Sequence, residues 1–263
     1  MLNQVAAKIT SSTYLQVLIT LLLYLVYATV FGICVGPSLH IVARGFERFG
    51  PFPAPVLRNY FYFGFYCGLG LFLFYIVSVF VLGTLMRLSS WGIKPGRYSV
   101  RTFTVIRWLV HSGFYGMAAT MVLPMIRVTA FVNLFYRLAG CTIGKNVRLN
   151  TGSLVDAYLL TIEDNVVIGG ESAVSCHLVE HNHLILQPVR IGANTLIGAR
   201  CYIPPGVTIG KNCVIGLYSY LRKGTTIPDN SIITSLAGIT TKKAWEIEKG
   251  LERFYVRKGN GQN

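Results

Sequence analysis

The sequence predicts a mixed membrane α plus β fold: N-terminal transmembrane or interfacial helices, then a left-handed parallel β-helix, then a C-terminal helix. Two observations carry this. Long apolar runs without charge occupy the first half, and aliphatic residues recur every six positions in the second. The 263 residues are 52% apolar and 13% charged, with a mean hydropathy of +0.52. That is too apolar for a purely soluble protein and too charged for a bundle of spans alone.

Thr13 to Gly36 is uncharged and, as a helix, roughly 36 Å long, enough to cross a hydrocarbon core of about 30 Å. A cleaved leader has a shorter apolar core, so the run is expected to anchor the chain. Tyr60 to Met86 is the second such run. It opens with Tyr60, Phe61, Tyr62 and Phe63 and is flanked by Arg58 and Arg87, as interfacial belts are. Residues 108–126 contain His111 and Pro124, and are read either as a third span or as a helix lying in the interface. Residues 1–137 are thus expected to form the membrane region, 138–240 the β-helix, and 241–263 a helix and tail.

Met1 to Arg137 holds eleven Lys and Arg against one acid, Glu47, so +10 of the net +14 lies beside the apolar runs. This placement favours anionic lipid headgroups as partner and argues against nucleic acid, whose readers cluster their bases on a folded domain. With two spans, the loop from Pro37 to Asn59 carries three bases, against five from Arg87 to Arg107. The asymmetry points to an inner (plasma) membrane location with the repeats on the cytoplasmic side. The six cysteines show no metal-type pairing and fit buried small apolar positions.

The period is seen at Ile191, Ile197, Ile203, Ile209, Ile215, Leu221, Ile227 and Ile233. A compact residue stands two positions before each successive one, from Thr195 through Cys201, Val207, Cys213, Ser219 and Thr225 to Ser231. The same frame extends upstream through Ile143, Leu149 and Val155 and, after a one-residue slip, through Ile162, Ile168 and Val174. Helical periods do not produce this spacing. Three six-residue strands per turn of a triangular coil do, with residues eighteen apart stacked in columns. The frame breaks over Glu180–Arg190, where His181 and His183 join His177 in an expected surface loop. That spacing could alternatively furnish metal ligands, although no histidine follows His183. Thr241–Lys258 is expected to be an amphipathic helix capping the open end of the coil.

The run Ile191–Gly216 resembles the hexapeptide-repeat acyltransferase superfamily. Ser153–Asp156, Cys176–Glu180 and Leu221–Pro228 further resemble motifs in the C-terminal repeat domains of membrane-bound nonribosomal peptide synthetases of the poly-lysine synthetase type. The resemblance implies a trimer and a general-base histidine that takes a proton from an acceptor hydroxyl or amine. Imidazole suits that role because its unperturbed pKa lies near 6.5. The matching position is His177, with His183 as rival and Glu180 or Asp156 to orient the ring. The resemblance also implies acetyl-CoA or another acyl-CoA as co-substrate, with no bound prosthetic group, and a pantetheine groove touching Ala199, Leu217, Arg222 and Lys223. The family's frequent Trp is Leu196 here, which leaves a carrier-protein thioester open as donor. A non-catalytic trimeric scaffold is the other reading of the same repeat.

Overall fold

The computed structural model describes residues 3–4, 12–49, 57–233 and 256–258. Two long helices come first, Thr13–Phe49 and Leu57–Ser90, and both are long and apolar enough to cross a membrane. They pack on each other along their length. Gly70 and Gly45 allow this approach: a Cβ on either would stand 2.9 Å from a side chain of the partner helix. The first helix outruns the predicted segment by continuing through Pro37 to Phe49. Proline's fixed φ is compatible with helix, so the cost is a missing hydrogen bond rather than termination.

The third apolar segment is not among the two helices of spanning length and hydropathy. It forms a helix over Phe103–Met121, followed by a turn at Leu123–Ile126 and a short helix, Ala130–Leu138. The first of these buries Val105, Trp108, His111, Phe114 and Ala118 along one stripe at helical spacing. The short helix closes the near end of the coil. Phe135 and Tyr136 are fully buried there, the Asn133 amide donates to the Val147 carbonyl (2.7 Å), and the Tyr136 hydroxyl donates to that of Gly152 (2.7 Å). Those bonds satisfy carbonyls at the open end of the coil.

The repeat region is a parallel coil with three faces. One face runs through β2 (Thr142–Ile143), β5 (Leu160–Ile162), β10 (Val189–Ile191), β13 (Thr208–Ile209) and β15 (Thr226–Ile227). The second runs through β3 (Arg148–Leu149), β6 (Val167–Ile168), β11 (Leu196–Ile197), β14 (Val214–Ile215) and β16 (Ser231–Ile233). The third comprises β4 (Ser153–Val155), β7 (Ala173–Ser175) and β12 (Tyr202–Ile203), extended by a bridge from Tyr202 to Tyr220 whose rings stack at 5.1 Å.

The registers place Ile162, Ile191, Ile209 and Ile227 in one column and Ile168, Ile197, Ile215 and Ile233 in another. All eight aliphatics of the Ile191–Ile233 series are buried, each contributing about 1.5–3 kcal/mol. The compact residues between them are buried too.

Two departures from the periodic reading stand out. In the first coil the inward residue of the third face is Leu154, paired with Val174, whereas Val155 is only half-buried. The frame therefore shortens by one residue between Leu149 and Leu154 and lengthens by two between Leu154 and Ile162, where Asp156 (φ 57°) leads into a single 3-10 turn, Ala157–Leu159. At the far end, the helix expected over Thr241–Lys258 lies outside the described residues except for Val256–Lys258. These three form strand β17, antiparallel to β16. The last strand of a coil exposes an unpaired backbone edge, and β-addition satisfies it as a helix cannot.

The corners carry a feature that hydrophobic period alone does not reveal. Asn146, Asn165, Asn194, Asn212 and Asn230 all adopt left-handed backbone (φ 54–60°), and their side-chain amides bond in series at 2.9–3.2 Å. Asparagine tolerates this conformation better than other residues bearing a Cβ. Glycines follow the inward aliphatics where successive coils nearly touch. A Cβ on Gly192 would stand 2.5 Å from the Gly210 carbonyl carbon and oxygen. Gly192→Ala is expected to lower the thermal midpoint by destabilising the coil about 1–3 kcal/mol, since backbone atoms cannot swing aside. Circular dichroism melts of the detergent-solubilised protein measure this, and an unchanged midpoint would contradict the tight stacking.

Candidate active site

The frame break is a β-hairpin rather than a loop. β8 (His177–Glu180) pairs antiparallel with β9 (His183–Leu186), and β1 (Gly96–Ser99) adds a third strand beside β9. His181 and His183 flank Asn182, and both His181 and Asn182 are left-handed (φ 45° and 64°), the geometry of a two-residue hairpin turn. Leu184 and Leu186 bury one face of this sheet against Ile93, Val105 and Trp108 in a small core of its own. That packing brings the helix Phe103–Met121 against the start of β8.

Three side chains meet at that junction. His177 Nδ1 lies 2.6 Å from Asp156 Oδ2, and Trp108 Nε1 donates to Asp156 Oδ1 at 2.9 Å. The Trp108 and His177 rings pack edge to face, 4.8 Å between centroids. Asp156 is fully buried, whereas the His177 side chain keeps 25% exposure. A buried carboxylate requires partners of this kind. An ionised carboxylate accepts only, so the contact suits the tautomer with its proton on Nδ1, in which the lone pair of the neutral ring lies on Nε2. Ser175 fixes the backbone of His177, with its Oγ donating to the His177 carbonyl (2.9 Å) and accepting from its N–H (3.3 Å).

The other sequence-predicted residues lie apart from this junction. Glu180 is turned away from the imidazole and forms an ion pair with Lys223, which holds its carboxyl below the usual range. His183 Nδ1 sits 2.8 Å from the His181 carbonyl and 3.5 Å from Arg97 Nη2 of β1. Ala199 and Leu217 are exposed at matching corners of successive coils, joined by the Tyr218 N–H to Ala199 carbonyl bond (2.9 Å). Arg222 and Lys223 are exposed on the next corner.

Sequence reasoning missed Trp108 and His111. Trp108 is 69 residues from His177 and sits in a segment read for its hydropathy. His111 is buried one turn further along, with Nδ1 3.1 Å from the Met86 carbonyl, Nε2 without a partner among the described residues, and burial lowering its pKa. The one available signal was the presence of indole and imidazole at i and i+3 in an otherwise apolar helix.

Comparison with known proteins agrees with the repeat. The model for the hexapeptide repeat of succinyl-transferase matches residues 188–217 and 206–235. Delta-poly-L-ornithine synthetase of Acinetobacter baumannii (strain AB307-0294) is 31% identical over 125 residues, which make up 47% of this chain and 9% of that one. This chain thus corresponds to a small part of that relative. Among solved structures, a galactoside acetyltransferase in complex with coenzyme A is 20% identical, covering 64% of this chain and 95% of that chain with a TM-score of 0.41. A hexapeptide-repeat acetyltransferase of Vibrio cholerae O1 biovar eltor complexed with acetyl coenzyme A is 15% identical, covering 47% and 80%, with a TM-score of 0.36. Residues 188–235 thus carry the hexapeptide repeat that this family model describes.

Proposed function

We propose that this chain is a membrane-anchored acyltransferase. It moves an acyl group, acetyl in the simplest case, from a CoA or carrier-protein thioester to a hydroxyl or amine of an envelope or secondary-metabolite acceptor. The observation that carries the reading is the 2.6 Å contact between His177 Nδ1 and the fully buried Asp156, itself held by Trp108. This arrangement fits a general base: Nε2 takes the acceptor's proton as its oxygen or nitrogen attacks the thioester carbonyl. The carbon–sulfur bond then breaks, and the imidazolium returns the proton to the leaving thiolate. Asp156 stabilises the imidazolium and fixes the ring tautomer.

Several further elements belong to the same proposal. The helices Thr13–Phe49 and Leu57–Ser90 anchor the protein in the inner (plasma) membrane, and the coil works on the cytoplasmic face as a trimer. Residues 1–137 serve as the membrane region and 138–240 as the catalytic coil. The pantetheine arm runs along the corner that presents Ala199 and Leu217. There Arg222 is the cation available to a donor phosphate, since Lys223 is engaged by Glu180.

The test is a panel of acyl donors presented to the purified protein in detergent, with free thiol as the readout. Release of thiol from at least one donor in the presence of a hydroxyl or amine acceptor is the expected result. No release from any CoA or carrier thioester would favour a non-catalytic scaffold instead.

A further inference from the structure

Beneath the junction of the second long helix and the coil lies a cavity of about 460 Å³, within the range of about 300–1,000 Å³ usual for small-ligand sites. It is lined by Arg87, Ser90, Trp91 and Gly92 from the helix end and by Tyr158 and Leu159 from the 3-10 turn after Asp156. None of its lining residues is acidic. Arg87 presents its guanidinium to it, and a second guanidinium, Arg107, stands beside the Trp91–Gly92 wall. Arg107 is bound to the Trp91 carbonyl, and its Nη1 lies 3.8 Å from a Cβ built on Gly92. Arg87 has no hydrogen bond or ion pair from its guanidinium among the described residues.

The position of Arg87 is built into the backbone. Gly140, with φ +101°, leaves a space in which a Cβ would stand 2.5 Å from Arg87 Nη1 and 3.3 Å from Tyr158 Cβ. Only a residue without a side chain admits the guanidinium there. The Tyr158 hydroxyl is buried without a partner among the described residues, and burial together with nearby Asp156 raises its pKa, so it persists as a protonated donor. An orphaned buried donor beside two guanidinium groups, of which Arg87 has no partner among the described residues, marks a place that an anion would complete.

The rim indicates which anion. Trp91 (79% exposed) and Leu88 (57% exposed) stand at the end of a helix of membrane-spanning length, where indole and arginine mark the headgroup level. The geometry points to this cavity as the site for the phosphate ester of a membrane lipid, held by Arg87 and Arg107, with the lipid as carrier of the acyl acceptor. The inference rests on the membrane-anchored reading above. It adds the chemical class of the acceptor, presented from beside Tyr158 two residues from Asp156.

The test uses the full chain purified in dodecyl maltoside and a fluorescent phosphatidic acid as probe, with phosphatidylcholine as the neutral control. Arg87→Gln combined with Arg107→Gln is expected to weaken phosphatidic acid binding at least tenfold. Arg58→Gln, at the other end of the same helix, leaves it near wild type. Competition by millimolar inorganic phosphate would assign the site to a soluble phosphate ester, and failure to compete assigns it to the lipid. Equal binding by wild type and the double variant overturns the site. Should the double variant misfold, a photoactivatable phosphatidic acid cross-linked to wild type decides: labels on residues 87–93 support the site, and labels only elsewhere overturn it. Thiol release separates this from the parent reading. If no donor is consumed while Arg87-dependent binding persists, the transferase reading fails and the site stands. If donor is consumed without lipid binding, the site alone fails.

Discussion

His177→Ala is expected to lower thiol release by about 10²–10⁴-fold, the usual contribution of a positioned general base. The site supplies its own graded controls. Asp156→Asn removes the charge that stabilises the imidazolium while keeping the volume, so it is expected to fall in the same range with the fold intact. Trp108→Phe keeps the edge-to-face packing but leaves Asp156 Oδ1 without its donor, and should reduce turnover more mildly. His183→Ala, whose ring faces Arg97, is expected to leave the rate near wild type. A His177→Ala enzyme working at the wild-type rate would remove His177 from the mechanism. Loss confined to His183→Ala would move the base to the hairpin's second strand.

The second large effect is on stability. Ile209 is 1% exposed and stacks between Ile191 and Ile227, each eighteen residues away. Ile209→Ala leaves a cavity in the middle of a column whose neighbours belong to rigid strands above and below. The expected cost is about 2–5 kcal/mol. Thr208→Ala, on the exposed side of the same strand, is expected to change stability by less than about 0.5 kcal/mol. Thermal melts followed by circular dichroism in the sheet region provide the comparison. Equal midpoints for the two variants would show that the column does not bear on folding.

The sequence disclosed the inward columns because burial in a six-residue repeat leaves aliphatics at fixed spacing. It also marked both long apolar helices. The frame was traced through Val155 because Leu154 and Val155 are both aliphatic, so hydropathy alone could not choose which of them faces inward. The pairing of Leu154 with the buried Val174 decides it. The hairpin was read as a loop because its strands leave the six-residue frame and its flanking strand, β1, pairs with it from a distant part of the chain. His177 and Asp156 were both named from motifs, yet their contact was one of two alternatives. Glu180, nearer in sequence, is drawn off by Lys223, a partner contributed by a later coil. Trp108 was illegible for the same reason: its partner is set by tertiary packing, and its own neighbourhood resembles a span.

The series of corner asparagines has a bearing on how such a protein can change. Because every rung must present an amide in the same unusual backbone state, a residue added or deleted within a coil would bring a different side chain to that corner unless the same coil absorbs it elsewhere, as the first coil does near Ala157–Leu159. Growth is therefore confined to whole turns, or to points where the chain departs and rejoins at one level. Cys176 and Gln187 form such a point, joined by the Gln187 N–H to the Cys176 carbonyl (2.9 Å). The hairpin tip between them, beyond His177 and clear of the buried Leu184 and Leu186, can be lengthened, shortened or exchanged with the remaining rungs undisturbed. Novelty in substrate choice thus has a natural port of entry immediately beside His177.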